Sequence, residues 1–323
     1  MNDTIHGEGA VAGNTGDKFP HQPVLYHEVL DALAPESGKD YLDGTLGAAG
    51  HAEGILKASS PDGRLLGLDL DPTALTIARQ RLFEFSDRTI IRQASYEMAP
   101  EILKELGWRK VHGILLDLGV SSMQIDRPAR GFSFMGEGPL DMRFNQSSGK
   151  TAADLINTLN QEALADIIWK FGDERYSRKI ARAVVAARPI NTTRDLAAII
   201  QKAVPGYSSK IHPATRTFQA LRIATNRELE TIAVSLPGLI NCLEVGARIA
   251  VISFHSLEDR IVKQFFKKES RDCICPPEQP ICTCGHKASL IVLTKKPITA
   301  SKKEVQKNTR SRSARLRIAE KMR

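Results

Sequence analysis

No apolar run in this sequence approaches the roughly 20 residues needed to cross a bilayer, so a helical membrane protein is excluded. The first 18 residues, MNDTIHGEGAVAGNTGDK, lack both the basic start and the apolar centre of a secretory signal. They read as a disordered leader, and the chain is expected to stay in the cytoplasm. No internal repeat is visible. Net charge is also scarce outside one segment. The formal charge is +8, yet 11 of the 45 Lys and Arg, against only 2 of the 37 Asp and Glu, fall between Lys295 and Arg323. The rest of the chain is close to neutral, and the terminal segment reads as a basic tail with an electrostatic footprint for a polyanion.

What remains is an ordinary globular composition, 42% hydrophobic and 25% charged. At 323 residues the chain is too long for one typical core, and two units are expected. HQPVLYHEVLDALAP carries a helical repeat stopped by Pro35. Four short apolar runs follow at regular intervals: 41–42, 65–68, 89–91 and 113–116. Helical stretches at 49–57, 72–83 and 97–106 separate them, predicting a parallel, doubly wound α/β sheet. The alternation then stops. TAADLINTLNQEALADIIWKF, ERYSRKIARAVVAARP and TTRDLAAIIQKAVPG are helical in period, with N-cap candidates at Thr151 and Thr192. They predict an inserted helical domain. A strand at 249–254, a helix at 257–267 and a last strand at 290–294 then complete the sheet. The predicted organisation is a leader at 1–18, a first α/β part at 19–124, the insertion at 125–225 as a substrate-recognition unit, and a second α/β part at 226–323. The last part includes a Cys-rich loop at 273–286 and the basic tail.

The G-x-G-x-x-G signature of a dinucleotide site is missing from the first strand–helix turn, DYLDGTLGAAGHAEGIL. Its glycines run G-x-x-G-x-x-G at Gly44, Gly47 and Gly50, a turn that lets a ligand approach the backbone. Asp69 ends the next strand, 19 residues beyond Gly50, where a carboxylate suits the hydroxyls of a ribose. Asp43 would repel a pyrophosphate but suits the ammonium and sulfonium of S-adenosylmethionine. The charges therefore favour a methyl donor over NAD. Tyr96, after the third strand, is placed to flank an adenine. Asp117 follows the apolar run Ile114, Leu115, Leu116 at the end of the fourth strand, where core packing does not account for a carboxylate.

Five segments together resemble one family: DGTLGAAGHA at 43–52, HGILLDLGVSS at 112–122, RGFSFMGEGPLDMR at 130–143, HPATRTFQALRI at 212–223 and ISFHSLEDRIVK at 252–263. They are similar to the RsmH (MraW) family of small-subunit (16S) rRNA cytosine-N(4) methyltransferases. The resemblance implies a Rossmann-like class I S-adenosylmethionine-dependent methyltransferase fold carrying an inserted all-helical domain. Matched motif by motif, it implies donor contacts from Ala49, Gly50, His51, Asp69, Asp117 and Gln124. It adds Tyr96, which lies outside the five segments. The implied acceptor, an exocyclic amine, needs alignment more than a strong base, and Asp117 is the candidate catalytic group to hold the amine protons. Ring-carbon methylation would require a Cys nucleophile, which DLGVSS lacks. Phe132, Phe134 and Phe218 are available to hold an unstacked base. His212, Arg216 and His255, with Arg222 and Arg260 nearby, are candidates for substrate binding.

The implied partner is small-subunit rRNA; because the basic tail supplies charge but little base readout, recognition within the assembled small ribosomal subunit is expected, with no membrane involved, and oligomeric state stays open. Two other readings are an NAD-dependent oxidoreductase, which the missing G-x-G and Asp43 oppose, and a non-catalytic RNA-binding module on a methyltransferase fold. Cys273, Cys275, Cys282 and Cys284, with His286 behind them, form two C-x-C pairs, while Cys242 stands apart. In a cytosolic chain such a cluster suggests zinc before disulfides. C-x-C is less specific than C-x-x-C, and the loop lies outside the family segments, so no metal ligand is assigned.

Overall fold

The computed structural model describes residues 23–204, 212–279 and 281–323. The predicted leader lies outside the described residues. Eight strands form one sheet: β1 (Asp40–Asp43), β2 (Arg64–Asp69), β3 (Thr89–Gln93), β4 (Val111–Asp117), β5 (Leu243–Ser253), β6 (Leu290–Val292), β7 (Ile298–Thr299) and β8 (Arg315–Lys321). The order is β3-β2-β1-β4-β5-β8-β6, with β7 also paired to β8. Strands β1 to β5 are parallel, as the strand–helix alternation predicts.

Side-chain alternation explains the layers. Leu42, Leu66, Ile114, Leu116 and Val251 face one side, where they pack with helices Ala99–Glu105, Glu228–Cys242 and Ser256–Glu269. Their neighbours Tyr41, Leu65, Leu115, Ala250 and Ile252 face the other, against helices Tyr26–Leu33, Gly50–Ala58 and Pro72–Arg81. Both faces are covered, which is why these strands read as continuous apolar runs in sequence. A third apolar cluster lies within 140–221 and joins five helices, Ala152–Thr158, Gln161–Gly172, Ser177–Ala186, Thr193–Ala203 and Ala214–Asn226. Thr151 and Thr192 cap two of them through the Asp154 and Asp195 amides. Gly172 lets the second helix approach the fifth; a Cβ there would lie 2.5 Å from the Arg216 carbonyl oxygen.

The terminal segment departs from expectation. It is no tail. Strand β8 lies between β5 and β6, antiparallel to both, and buries Leu316, Ile318 and Ala319. The alternation Arg315-Leu316-Arg317-Ile318 is that of a strand, but the basic count obscures it. Several of its cations are already paired: Arg317 grips Asp259 through contacts of 2.6 and 3.1 Å, and Arg315 reaches the same carboxylate at 3.2 Å.

Candidate active site

A cleft of about 640 Å³ opens at the C-terminal ends of β1, β2 and β4. Chain order reverses between β1 and β4, which is where open α/β sheets bind ligands. The floor is the glycine turn after β1. The Gly44 amide donates to the Leu115 carbonyl at 3.0 Å, and the Leu46 amide to the Leu68 carbonyl at 2.9 Å, so the turn is tied to both neighbouring strands. A Cβ on Gly44 would lie 2.6 Å from Leu116 and 2.9 Å from Tyr96. Only glycine lets strand, turn and Tyr96 meet.

Of the residues expected to contact a donor, Gly50, His51, Asp69, Tyr96, Asp117 and Gln124 line this cleft. Ala49 is not among them. It is fully buried in the core with left-handed backbone (φ +62°), turning the chain into the Gly50–Ala58 helix. Asp69 accepts the Gly47 amide on one oxygen and the Asp71 amide on the other, each at 2.8 Å. The Leu70 amide also reaches this carboxylate, which leaves about one of its roughly four acceptor positions for a ligand hydroxyl. Gln124 points its amide inward instead: it donates to Asp71 at 3.0 Å and accepts the Ser121 amide at 3.0 Å. The side chain is thereby committed to shaping the wall.

Two carboxylates at adjacent strand ends set the electrostatics. Burial pushes Asp43 up to about 7, with Asp69 adding to the rise against a hydrogen bond from the Thr45 amide. Burial likewise pushes Asp117 up to about 8, with Asp43 and Glu258 contributing. Asp117 is held at its backbone, whose amide donates to Thr45 Oγ1 at 2.6 Å, while its Oδ1 is buried without a partner. His51 Nε2 lies 3.8 Å from Asp117 Oδ2. Burial lowers His51 to about 4, so near neutral pH these two groups are neutral neighbours rather than an ion pair.

A buried network ties the cleft to the helical segment. Asp71 caps the Pro72–Arg81 helix through the Thr73 amide and also receives Arg130 and Gln124. Arg130, also buried, donates onward to the Arg143 and Phe144 carbonyls at 2.9 and 3.0 Å. Removing one member of a buried pair strands the other charge. Arg130→Met is therefore expected to lower stability by about 3 kcal/mol, read as a shifted urea midpoint with an unchanged slope. An unaltered midpoint would show that Asp71 does not depend on Arg130.

The acceptor side departs further from expectation. His212 packs on Phe134 with ring centroids 4.6 Å apart and accepts the Ala214 amide, and Arg216 donates to the Asp173 carbonyl. Neither lines the cleft. His255 caps the Ser256–Glu269 helix in a mutual arrangement with Glu258. It faces a smaller neighbouring hollow with Arg312 and Arg315. The three candidates for substrate binding are thus not brought together. Phe132, Phe134 and Phe218 pack in or against the helical cluster, whereas Phe144 and Phe254 line the cleft.

Sequence reasoning misses Asn226, Glu228 and Glu258, all on the cleft wall. Asn226 accepts the Phe144 amide and donates to the Met142 and Arg222 carbonyls. Arg222 grips both oxygens of Glu228, at 2.8 and 2.9 Å. Glu258 accepts the Phe254 amide at 2.8 Å. Despite burial, which opposes it, His255 and Arg222 hold Glu258 below the usual carboxylate range. The three-residue spacing from His255 to Glu258 is a capping-box pattern and is the one local signal for this wall.

Known proteins support a single assignment. Ribosomal RNA small subunit methyltransferase H of Geobacter sp. (strain M21) is 51% identical over 311 residues, covering 95% of this chain and all of that protein. The protein of that name from Dehalococcoides mccartyi (strain ATCC BAA-2100) is 48% identical over 305 residues, 94% of this chain and 87% of the relative. That from Heliobacterium mobile is 46% identical over 311 residues, 94% of this chain and 100% of the relative. The profile of the MraW methylase family matches residues 18–322, and the chain belongs to that family.

Proposed function

We propose that the chain transfers a methyl group from S-adenosylmethionine to the exocyclic N(4) amine of a cytidine in small-subunit rRNA, in the cytoplasm and within the assembled subunit. The observation that carries this reading is a pair of carboxylates, the buried Asp43 and the partly exposed Asp117, facing one cleft above a glycine turn. Two such groups, neither supplied with a cation, fit a ligand bearing an ammonium and a sulfonium. Bound there, the donor supplies an electrophilic methyl on a good leaving group. Asp69 suits the ribose hydroxyls, and Tyr96 suits the face of the adenine. Asp117, with its unpartnered oxygen, orients the amine and receives a proton as it is methylated. Phe144 and Phe254 offer flat surfaces to a base drawn out of its stack. Catalysis is then chiefly alignment of amine, methyl and sulfur.

The carboxylates give this reading a pH signature. In the free chain Asp43 and Asp117 take up protons below about 7 and 8, and a cationic ligand favours their ionised forms. Donor affinity should therefore rise as pH climbs through this window and level off above it, gaining roughly tenfold or more between about pH 6 and 9. Calorimetry in buffers of different ionisation enthalpy should register proton release on binding. A flat profile would mean that the carboxylates do not face the donor's charge.

The reaction itself is tested by transfer of labelled methyl to small subunits lacking the modification, followed by identification of the product nucleoside. N(4)-methylated cytidine is expected. Label on a ring carbon, on the ribose or on protein would overturn the assignment, and label on free rRNA but not on subunits would overturn the subunit context.

A further inference from the structure

The four clustered cysteines stand outside the cleft, and the proposed reaction does not use them. They lie in the stretch from Ser270 to Ser289 that joins the Ser256–Glu269 helix to β6. Among its described residues this stretch has no helix or strand and no apolar core of its own; Ile274 is 39% and Ile281 74% exposed. A connection of this length without secondary structure is unusual in a compact protein unless something fastens it. Both ends are fastened by protein. The Ser289 amide donates to the Glu269 carbonyl at 2.8 Å, the Ala288 amide to Asp272 at 3.2 Å, and Arg323 binds the Ala288 carbonyl and Asp272.

The middle converges on sulfur. The ligand atoms of Cys273, Cys275, Cys282 and Cys284 all lie within 4.8 Å of one another. Cys284 Sγ is 3.6 Å from Cys282 Sγ and 3.9 Å from Cys273 Sγ. A disulfide would need about 2.05 Å, and all four cysteines are free. Four sulfurs bound at about 2.3 Å around one tetrahedral ion stand about 3.8 Å apart, which these separations match. Sulfurs spread around a multi-iron cluster would stand farther apart. The Ile274 amide donates to Cys284 Sγ at 3.5 Å, a bond that favours a thiolate over a thiol. His286 is drawn away, its Nε2 3.2 Å from the Lys268 carbonyl, which leaves a ligand set of sulfur only.

We propose that Cys273, Cys275, Cys282 and Cys284 bind one zinc ion as a tetrahedral tetrathiolate that fixes the connection between the Ser256–Glu269 helix and β6. Zinc suits the site because it accepts four thiolates without a redox or geometric demand, and three of the four cysteines are solvent-exposed. The ion replaces the apolar core that this stretch lacks, and binding releases the thiol protons.

The test uses the full chain, purified without chelator and incubated anaerobically with zinc chloride, with metal content and native mass measured. One zinc per chain is expected. It should be lost in the double variant Cys273→Ser/Cys284→Ser and retained in Cys242→Ser. Cobalt(II) in place of zinc should show the thiolate charge-transfer and tetrahedral d–d absorption, which a surface-bound ion would not. Because the double variant can unfold locally, its donor binding is measured alongside; loss of metal with donor affinity unchanged assigns the loss to the site. Zinc retained in the double variant, iron in its place, or a chain that reconstitutes with no metal would each overturn the proposal.

Discussion

Replacing Asp117 by Ala is expected to lower kcat for methyl transfer about a thousandfold, within the range removed with a positioned proton-transfer group. The strand end survives the change, because the residue 117 amide still donates to Thr45 Oγ1. What disappears is a carboxylate with one oxygen buried and unpartnered, facing the cleft. Asp117→Asn separates its two tasks. The amide oxygen can still accept an amine proton in a hydrogen bond, so the variant should retain more kcat than Ala. It cannot ionise, so donor affinity should fall and its pH dependence should flatten in the window where Asp117 titrates, near 8. A kcat for Asp117→Ala within tenfold of the parent would remove Asp117 from the reaction and leave it a charge partner for the donor.

Deleting Arg315–Arg323 should abolish folding rather than trim an RNA-binding appendage. The deletion removes β8, and with it the only partner of β6 and β7 among the described strands. Leu316 and Ile318 lose burial worth about 1.5–3 kcal/mol each. Asp259 loses both of its arginines, and Arg248 loses Glu320. Against a total stability of about 5–15 kcal/mol, these losses leave no cooperative transition in circular dichroism on heating. A soluble, cooperatively melting truncation would show that the sheet closes without β8. The charge question is better asked of Lys302, Lys303 and Lys307, exposed on the helix Lys302–Lys307. Reversing all three to Glu should leave melting unchanged and reduce the salt slope of RNA binding by about one for each phosphate that is no longer neutralised.

The fate of that segment shows where composition misleads. Its 11 cations count as a patch in the sequence, but residues 316–319 of β8 are all buried, Arg317 among them. A buried arginine looks the same in sequence as an exposed one until its partner is known, and Asp259 lies 58 positions away. The three candidates for substrate binding stand apart in the structure for a related reason. His212, Arg216 and His255 have side chains suited to RNA, but each is engaged in a helix cap or a backbone contact. Nothing local distinguishes a capping histidine from a binding one.

By itself the sequence determined the parallel part of the sheet, the helical segment within it, the glycine turn and the acids at 43, 69 and 117. These are local properties: apolar period, turn chemistry, and a charge set directly after a buried run. Tertiary structure alone decided that β8 completes the sheet, that Asp71 joins the cleft to the helical segment through Arg130, and that Asn226, Glu228 and Glu258 line the cleft. Each of these depends on residues far apart in the chain, and only folding decides which polar groups pair and which remain free to act.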